Sequence, residues 1–366
     1  MTSFDFSHEE VARAARYHRA RYLSFGAGTG LAAAVLAVLA WAPVGRSLWG
    51  LVDGLGWAGS AAAWAAVVVV VADLVQLPLA TWRGLTRERA WGFSRQTTRG
   101  WLADRGKGLA VSVLLTAAAW TGAVGLARAF PGWWPAAAGL ALAAGVLVLS
   151  FVAPVVLEPL FNRFQPLEDE QLAAELLALG EQAGVPLRHV LVADASRRTT
   201  KVNAYVSGFG RTRRVVLYDT LLAAAGAPEV KLIVAHELGH RRDRHVLKGT
   251  LLAMAGAVVA VLVLWATLGT RVASPRELPQ ALLVFAVFEL VGLAPAAALS
   301  RRWERRADRC SLELTGDLEA FERAHVELAR GNLSDLAPPR LVYLLLFTHP
   351  TPPERLAFGR AWAAGS

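Results

Sequence analysis

The sequence predicts a mainly α-helical multi-pass membrane protein of about six transmembrane helices, with a small cytoplasmic α+β domain. The first observation is composition: of 366 residues, 55% are hydrophobic and 18% are charged, whereas soluble globular proteins carry about 25% charged residues. The second is a set of six apolar runs, each long enough to cross a bilayer as a helix of about 20 residues. The third is the concentration of basic residues in particular loops between these runs.

The six apolar runs lie at residues 22–42, 57–81, 109–129, 135–157, 247–269 and 279–300. The first run is too long for the core of a cleavable signal peptide, so we interpret it as a membrane helix. Residues 1–157 then form an N-terminal membrane domain with four transmembrane helices, and residues 158–366 form a second domain. Within the second domain, residues 158–246 are soluble, residues 247–300 make a transmembrane hairpin, and residues 301–366 are cytoplasmic.

Loop charges predict the orientation of these helices. The loop between the second and third runs carries the basic residues Arg83, Arg87, Arg89, Arg95, Arg99, Arg105 and Lys107. The loop after the first run holds only Arg46, and the turn at residues 131–135 holds no basic residue. Because basic loops stay in the cytoplasm, both termini and the soluble part are expected on that side.

The formal net charge of +9 is carried largely by arginines beside apolar runs. That placement is typical of topology determinants, so we expect no nucleic-acid partner. Lysine is scarce, at Lys107, Lys201, Lys231 and Lys248. This bias toward arginine indicates a GC-rich genome, and the predicted location is a bacterial inner membrane. The single cysteine, Cys310, excludes an intrachain disulfide.

Two carboxylates, Asp73 and Glu289, fall inside apolar runs. Charged groups in the membrane are costly, and they commonly line a watery cavity with a function. The alternative is a buried hydrogen bond or a place near the interface. We assign neither residue a catalytic role.

The soluble part combines helix and strand patterns. Residues 169–183 have the apolar spacing of an amphipathic helix. Strands are predicted at His189–Ala193, Val202–Ser207 and Arg213–Tyr218, and the Gly208-Phe-Gly210 turn predicts that the last two form a β-hairpin. The free edge of a hairpin could pair with an extended peptide, or the hairpin could be purely structural.

A metal-binding pattern follows the hairpin, in a helix predicted to begin near Pro228. His236-Glu237-Leu-Gly-His240 places two imidazoles one helical turn apart on one face. Two such nitrogens can bind a tetrahedral zinc ion that keeps a position open for water. Glu237 can then take a proton from that water as the general base of a metalloprotease.

The candidate third ligand is Glu304, in the helix that leaves the sixth run. His240 and Glu304 lie at similar distances from the turn of the transmembrane hairpin, so both reach the same depth near the cytoplasmic boundary. Asp308, four residues further along the same face, can orient a ligand histidine. The alternative is a basic helix flanking the membrane, in which Glu304 only balances arginines. His245 is expected off the ligand face and is left out of the site.

These residues resemble the type I CAAX prenyl endopeptidases, integral-membrane zinc peptidases related to the HtpX proteases. The resemblance runs in order over about residues 157–360. The matching segments are Glu158-Pro-Leu-Phe-Asn162, Asp194-Ala-Ser-Arg197, Asn203-Ala-Tyr-Val-Ser-Gly208, Arg214-Val-Val-Leu-Tyr-Asp-Thr-Leu-Leu222, the His236–His240 motif, Glu304 to Asp308, and His349-Pro-Thr-Pro-Pro-Glu-Arg355.

The resemblance implies a zincin-like metalloprotease domain with one zinc ion per chain. The implied zinc ligands are His236, His240 and Glu304, with Glu237 as base and Asp308 behind a ligand.

The resemblance also assigns Asn203 to a substrate-binding strand. It places His349 and Arg355 near the metal, where they help to hold the substrate or its tetrahedral oxyanion.

We therefore expect a membrane-embedded zinc metalloendopeptidase that hydrolyses membrane-associated polypeptides. The alternative is a non-catalytic, zinc-containing membrane scaffold or transporter. Three departures from the family bear on the substrate: six spans where eukaryotic members have seven, Arg241 where a tryptophan is typical, and Thr351 in place of a second proline. Prenylated CAAX tails are not expected in a bacterium.

Overall fold

The computed structural model describes residues 6–208 and 210–365, and it confirms the predicted membrane architecture. Six helical segments are long and apolar enough to cross a membrane: His8–Trp41, Pro43–Ala90, Thr98–Ala129, Trp134–Phe161, His245–Ala273 and Pro275–Thr315. Five of the six predicted apolar runs lie inside one of these segments, and the run at residues 22–42 ends one residue beyond its segment. The chain is a multi-pass membrane protein with a small sheet-containing part between the fourth and fifth spans.

The membrane part is built almost entirely from helices. Its helices are α1 (His8–Trp41), α2 (Pro43–Gly50), α3 (Gly56–Thr81), α4 (Arg87–Ala90), α5 (Thr98–Ala129), α6 (Trp134–Val152) and α7 (Glu158–Phe161). Trp64, Val124 and Trp134 are fully or almost fully buried where these helices meet the later hairpin. The indole of Trp120 donates to the carbonyl of Pro275 at 2.8 Å, which ties α5 to the turn of that hairpin.

The remaining helices and the strands follow in chain order. The helices are α8 (Glu170–Gln182), α9 (Asp219–Ala224), α10 (Ala227–Arg242), α11 (His245–Leu268), α12 (Leu278–Thr315), α13 (Leu318–Asn332), α14 (Arg340–Leu346) and α15 (Pro352–Gly365). The strands are β1 (Phe164–Pro166), β2 (His189–Ala193), β3 (Ala204–Ser207) and β4 (Arg214–Tyr218). The predicted amphipathic helix is α8, which begins after Asp169 because its carboxylate accepts from Leu172 N at 2.9 Å.

The four strands form one sheet in the order β1-β2-β4-β3. β3 and β4 are antiparallel, which confirms the predicted hairpin, and β3 lies at the edge of the sheet. β2 runs parallel to β4, and β1 pairs antiparallel with β2. The sequence analysis missed β1 because three residues that include a proline carry no strand periodicity. The inner face of the sheet packs on α8 and α10 through buried Leu176, Val215 and Leu238.

The first turns of α1 contact the part of the chain that carries the metal motif. Tyr22 Oη donates to Asp335 at 2.6 Å, and His18 Nε2 contacts the carbonyl oxygen of Leu333 at 2.8 Å. Lys201 Nζ pairs with Glu88 at 2.8 Å. These contacts hold the segment after α13 against the membrane part, close to the candidate site.

The two intramembrane carboxylates line one cavity between spans. Its volume is about 540 Å³, and Asp73, Glu289 and Arg105 are among its lining residues. Asp73 Oδ1 accepts from Arg105 at 2.6 Å. This arrangement agrees with the hypothesis of a polar cavity for both residues, and Asp73 also forms the buried polar contact of the alternative.

Candidate active site

The metal motif lies on α10, which packs closely against the cytoplasmic extension of α12. At the contact, a Cβ atom added to Gly239 would lie 2.9 Å from Cys310 Cβ and 3.0 Å from Ala307 Cα. Distances below 3.0 Å are too short for carbon atoms, so only glycine allows this approach of the helices. Gly239 thus brings α12 near enough for Glu304 to reach both motif histidines.

Three donor atoms of the predicted ligands face one another. His236 Nε2 and His240 Nε2 are 3.2 Å apart. Glu304 Oε2 lies 3.3 Å from His236 Nε2, and Glu304 Oε1 lies 3.2 Å from His240 Nε2. All three donor atoms fall within 4.8 Å of one another. The structure brings together the two histidines and the carboxylate that the sequence analysis selected.

The chemistry of this group fits a bound cation. Glu304 Oε2 is buried and has no hydrogen-bond partner in the described part of the chain. Two imidazole lone pairs and a carboxylate repel one another at such distances unless a proton or a metal ion lies between them. Among the described residues the group has three members, and a metal ion held by three protein ligands keeps a coordination position open, as catalytic metal sites require.

The far side of His236 is held by an ion pair. His236 Nδ1 donates to Asp308 Oδ1 at 2.9 Å, and Asp308 is fully buried. Arg355 Nε donates to Asp308 Oδ2 at 2.9 Å, and its Nη2 contacts Oδ1 of the same carboxylate. The guanidinium also lies 3.2 Å from His236 Nδ1. Asp308 therefore occupies the predicted position behind a ligand, and Arg355 binds it with two nitrogens.

The far side of His240 is held by a residue that the sequence analysis left out. His245 Nδ1 lies 3.0 Å from His240 Nδ1, and its ring stacks on Trp303 at 5.0 Å with an interplanar angle of 10°. The helix breaks between Arg242 and His245, where Arg244 has a left-handed φ of 56° and precedes the first residue of α11. The signal in the sequence was weak: a histidine five residues after a ligand is off the helix face unless the helix breaks.

A second histidine that the sequence analysis did not select, His325, also lies beside the site. His325 is buried, and its Nε2 lies 3.7 Å from Asp308 Oδ1. Its Nδ1 donates to the carbonyl of Phe321 at 2.8 Å. His325 therefore packs beside the Asp308–Arg355 pair, and nothing in its sequence spacing indicates this contact.

His349 and Asn203 line a cavity of about 680 Å³ next to the metal group, together with Arg355. His349 Nε2 lies 3.3 Å from Glu304 Oε1, and its side chain is 58% exposed. Asn203 is exposed at the start of β3, and its carbonyl accepts from Tyr218 N at 3.0 Å. The structure thus places His349 beside the metal group and Asn203 in the lining of the same cavity.

Glu237 is half-buried next to His236 on α10. No hydrogen bond of its carboxylate occurs among the residues that the structure describes. Burial raises the pKa of this carboxyl above its usual value, against the opposing effect of the nearby His236 ring. A carboxylate of raised pKa is a better proton acceptor, as a general base requires.

Comparison with known proteins identifies the family. The profile of peptidase family M48 matches residues 166–363, which include every residue of the metal group. The chain belongs to peptidase family M48. A second profile, described as the CAAX prenyl protease N-terminal region with five membrane helices, matches residues 3–163 of this M48 protease.

Named relatives support the same family. An uncharacterized metalloprotease of Bacillus subtilis is 33% identical over 303 residues, covering 79% of this chain and 71% of the relative. CAAX prenyl protease 1 of Saccharomyces cerevisiae is 30% identical over 171 residues, but the match covers 46% of this chain and 38% of that protein. The chain is therefore a membrane metalloprotease of the M48 family.

A solved structure has the same fold. The crystal structure of S. mikatae Ste24p superimposes with a TM-score of 0.84 at 23% identity, covering 98% of this chain and 90% of that one. This likeness confirms the predicted multi-pass helical fold with a small sheet-containing peptidase part.

Two departures of this M48 protease from the eukaryotic pattern have visible structural roles. The Arg241 side chain donates to the carbonyl of Val206, which fastens the metal helix to the edge strand β3. Thr351 caps α15: its backbone N–H donates to Glu354 Oε2 at 2.7 Å, and Glu354 N donates to Thr351 Oγ1 at 3.4 Å. This capping box sets the first turn of α15, which carries Arg355.

Proposed function

We propose that this M48 protease is a zinc endopeptidase with His236, His240 and Glu304 as the metal ligands. The observation that carries the proposal is the spacing of their donor atoms: the two imidazole Nε2 atoms are 3.2 Å apart, and each lies 3.2–3.3 Å from one of the two Glu304 carboxylate oxygens. Zinc–nitrogen bonds of about 2.0–2.1 Å at tetrahedral angles would separate two ligand atoms by ~3.3 Å. The donor set of two imidazoles and one carboxylate also suits zinc better than the oxygen-binding cations.

Glu237 is assigned the role of general base. Zinc, when bound here, supplies a Lewis acid that makes a neighbouring water more acidic and polarises the scissile carbonyl. The Glu237 carboxylate accepts the proton of the attacking water and then gives it to the leaving amine. Its free carboxylate and its position beside His236 support this assignment.

The residues behind the ligands are assigned a positioning role. With its Nε2 directed at the metal, the neutral His240 ring carries its proton on Nδ1 and donates to His245 Nδ1. The proton of His245 then resides on Nε2, which lies 3.5 Å from Asp243 Oδ2. By the same reasoning, His236 Nδ1 donates to Asp308. Arg355 is assigned to holding Asp308, since two of its nitrogens already bind that carboxylate.

The peptide substrate is proposed to pair with the outer edge of β3. Asn203 and Tyr218 form a hydrogen-bonded pair of the antiparallel ladder. Hydrogen-bonded and non-hydrogen-bonded pairs alternate along such a ladder, so the backbone N–H and C=O groups of Ala204 and Val206 point away from β4. The carbonyl of Val206 is already bound by Arg241, which leaves the groups of Ala204 for an extended peptide. The Asn203 side chain and His349 flank this edge and can hold the substrate carbonyl.

Membrane-associated polypeptides are the proposed substrate class, because the metal group lies where α12 leaves the membrane. The location proposed is the bacterial inner membrane, with the site and both termini in the cytoplasm. The CAAX substrates in the names of the eukaryotic relatives are not transferred to this chain.

The test combines metal analysis with Glu237→Gln in the full-length protein. We expect about one zinc per chain in both wild type and variant, and at least about 100-fold slower hydrolysis in the variant, because general bases contribute about 10²–10⁴ to the rate. Quantitative proteomics of membranes expressing either form should then show polypeptides that accumulate uncut with the variant.

The matched control is Glu181→Gln, which makes the same chemical change at an exposed residue. It should hydrolyse substrate at the wild-type rate. Absence of zinc from purified protein would contradict the ligand assignment, and normal hydrolysis by Glu237→Gln would contradict the role of the base. Bound zinc without any hydrolysis in the wild type would favour the scaffold alternative.

A further inference from the structure

A second cavity, outside the peptidase site, is lined by five arginines. Its volume is about 600 Å³, and it lies against α10, α12 and α15. The lining residues are Arg242, Asp243, Arg302, Arg305, Arg306, Arg309, Cys310, Glu313 and Phe358. Five guanidinium groups therefore face two carboxylates in one concavity, which carries a net positive charge. The proposed peptidase chemistry uses none of the five arginines.

The arginines of α12 form one face of the helix. Residues 302, 305, 306 and 309 recur at the spacing of a single helical stripe. Glu304 and Asp308 are buried on the face that meets α10, whereas these arginines are exposed. One helix thus presents the metal ligand on one side and a basic stripe on the other.

Most of the positive charge in this cavity is uncompensated. Arg306 lies 3.9 Å from Asp243, and Arg242 lies 3.8 Å from Glu313, so both pairs are loose. The side chains of Arg302, Arg305 and Arg309 have no carboxylate partner among the described residues. Several guanidinium groups that outnumber the carboxylates around one cavity match the charge and the hydrogen-bonding pattern of a phosphate group.

The depth of the cavity relative to the membrane indicates that the phosphate belongs to a lipid headgroup. α12 has 38 residues, about 57 Å, whereas a span needs about 20 residues. The stripe begins just beyond the apolar part of α12 and extends for about 10 Å. Lipid headgroups occupy a layer of about 5–8 Å outside the hydrocarbon core. The basic stripe therefore begins at the depth of the headgroup phosphates.

We propose that this arginine cavity binds the phosphate headgroup of an anionic phospholipid. Arginines that serve only as topology determinants have to lie near the end of a span, but they do not have to line the same cavity. A cluster of basic residues immediately cytoplasmic of a transmembrane helix attracts acidic lipid headgroups. Bound lipid would contact the exposed face of the helix whose opposite face holds Glu304.

The first experiment is native mass spectrometry of the full-length protein with phosphatidylglycerol or phosphatidylcholine of identical acyl chains. We expect the protein to retain phosphatidylglycerol at least about tenfold more tightly, and this preference to fall as salt is raised. Arg305→Gln/Arg309→Gln should reduce the preference to within twofold. The control Arg95→Gln/Arg99→Gln removes the same charge from two exposed residues, one before α5 and one in its first turn, and should keep the preference.

The second experiment uses Cys310, the one cysteine of the chain, as a reporter on the cavity wall. Phosphatidylglycerol should slow alkylation of the thiol by N-ethylmaleimide at least threefold, and phosphatidylcholine should not. Equal retention of both lipids, or equal loss of preference in the two double variants, would overturn the proposal. Protection by millimolar glycerol phosphate as strong as that by the lipid would assign the cavity to soluble phosphates and would also overturn it.

Discussion

The two motif histidines are supported by different chemical groups. His236 donates to the buried carboxylate of Asp308 at 2.9 Å, whereas His240 contacts the neutral acceptor of His245 at 3.0 Å. A carboxylate makes a ligand imidazole more basic than a neutral partner does. The two ligands should therefore differ in how strongly their supports affect metal binding.

The contribution of His245 can be measured by His245→Phe. Phenylalanine keeps the stack on Trp303 but removes the acceptor of His240 Nδ1, so we expect zinc binding about 10–100-fold weaker. Competition with a chromophoric chelator measures this affinity independently of activity. His189→Phe changes an exposed histidine of β2 and serves as control. Zinc affinity of His245→Phe within twofold of wild type would refute the positioning role.

At the scale of elements, the peptidase site is a contact between two helices. α10 carries two of the proposed ligands and α12 carries the third, and Gly239 allows the two helices to pack closely at residues 307 and 310. Protein interiors resist even one added methyl group when the neighbours are backbone atoms or Cβ atoms. The distance from Glu304 to the histidines therefore depends on the absence of a side chain at residue 239.

Gly239→Ala should separate α10 from α12. We expect a loss of about 1–3 kcal/mol in the free energy of unfolding and weaker zinc binding, measured by thermal unfolding and chelator competition in detergent. Gly256→Ala is the matched control, because a Cβ atom added there meets nothing within 4 Å and alanine is the better helix former. If Gly239→Ala binds zinc and unfolds like the control, close packing does not determine the ligand distance.

At the scale of the whole molecule, the orientation of six spans decides which compartment supplies the substrate. The basic loop between the second and third spans lies on the same side as the peptidase part, since two crossings separate them. Arg198 of the peptidase part pairs with Asp104 in this region at 2.9 Å. The charge of the basic loop and its contact with the peptidase part therefore both agree with the proposal that the two lie on the cytoplasmic side of the membrane.

The orientation can be tested with single cysteines in a Cys310→Ser background. Gly132→Cys lies in the turn after the third span, and Glu181→Cys lies at the exposed end of α8. A membrane-impermeant maleimide added to intact cells should label Gly132→Cys at once. It should label Glu181→Cys only after the membrane is permeabilised. The opposite pattern would place the peptidase site outside the cytoplasm.

The features that the sequence determined are local in the chain. The apolar runs predict the six spans. In lipid there is no water to bond the backbone, so a single segment must be a helix to satisfy its own backbone hydrogen bonds. The spacing of His236 and His240 predicts two of the proposed ligands, because helix geometry alone places these side chains one turn apart on the same face. The β3–β4 hairpin follows from its turn, and Glu304 could be selected because two antiparallel spans return the chain to a similar depth.

Only the tertiary structure decided the contacts that link distant or irregular segments. His245 reaches His240 because the helix breaks at Arg244, and Arg355 binds Asp308 because α15 packs beside α12. The strand β1 forms because β2 offers it an edge, and the arginine cavity exists because α10 and α15 flank the stripe on α12. The periodicity of apolar residues shows which face of a helix is apolar. It does not show which other helix or strand packs on that face, because the order of segments along the chain does not specify their contacts.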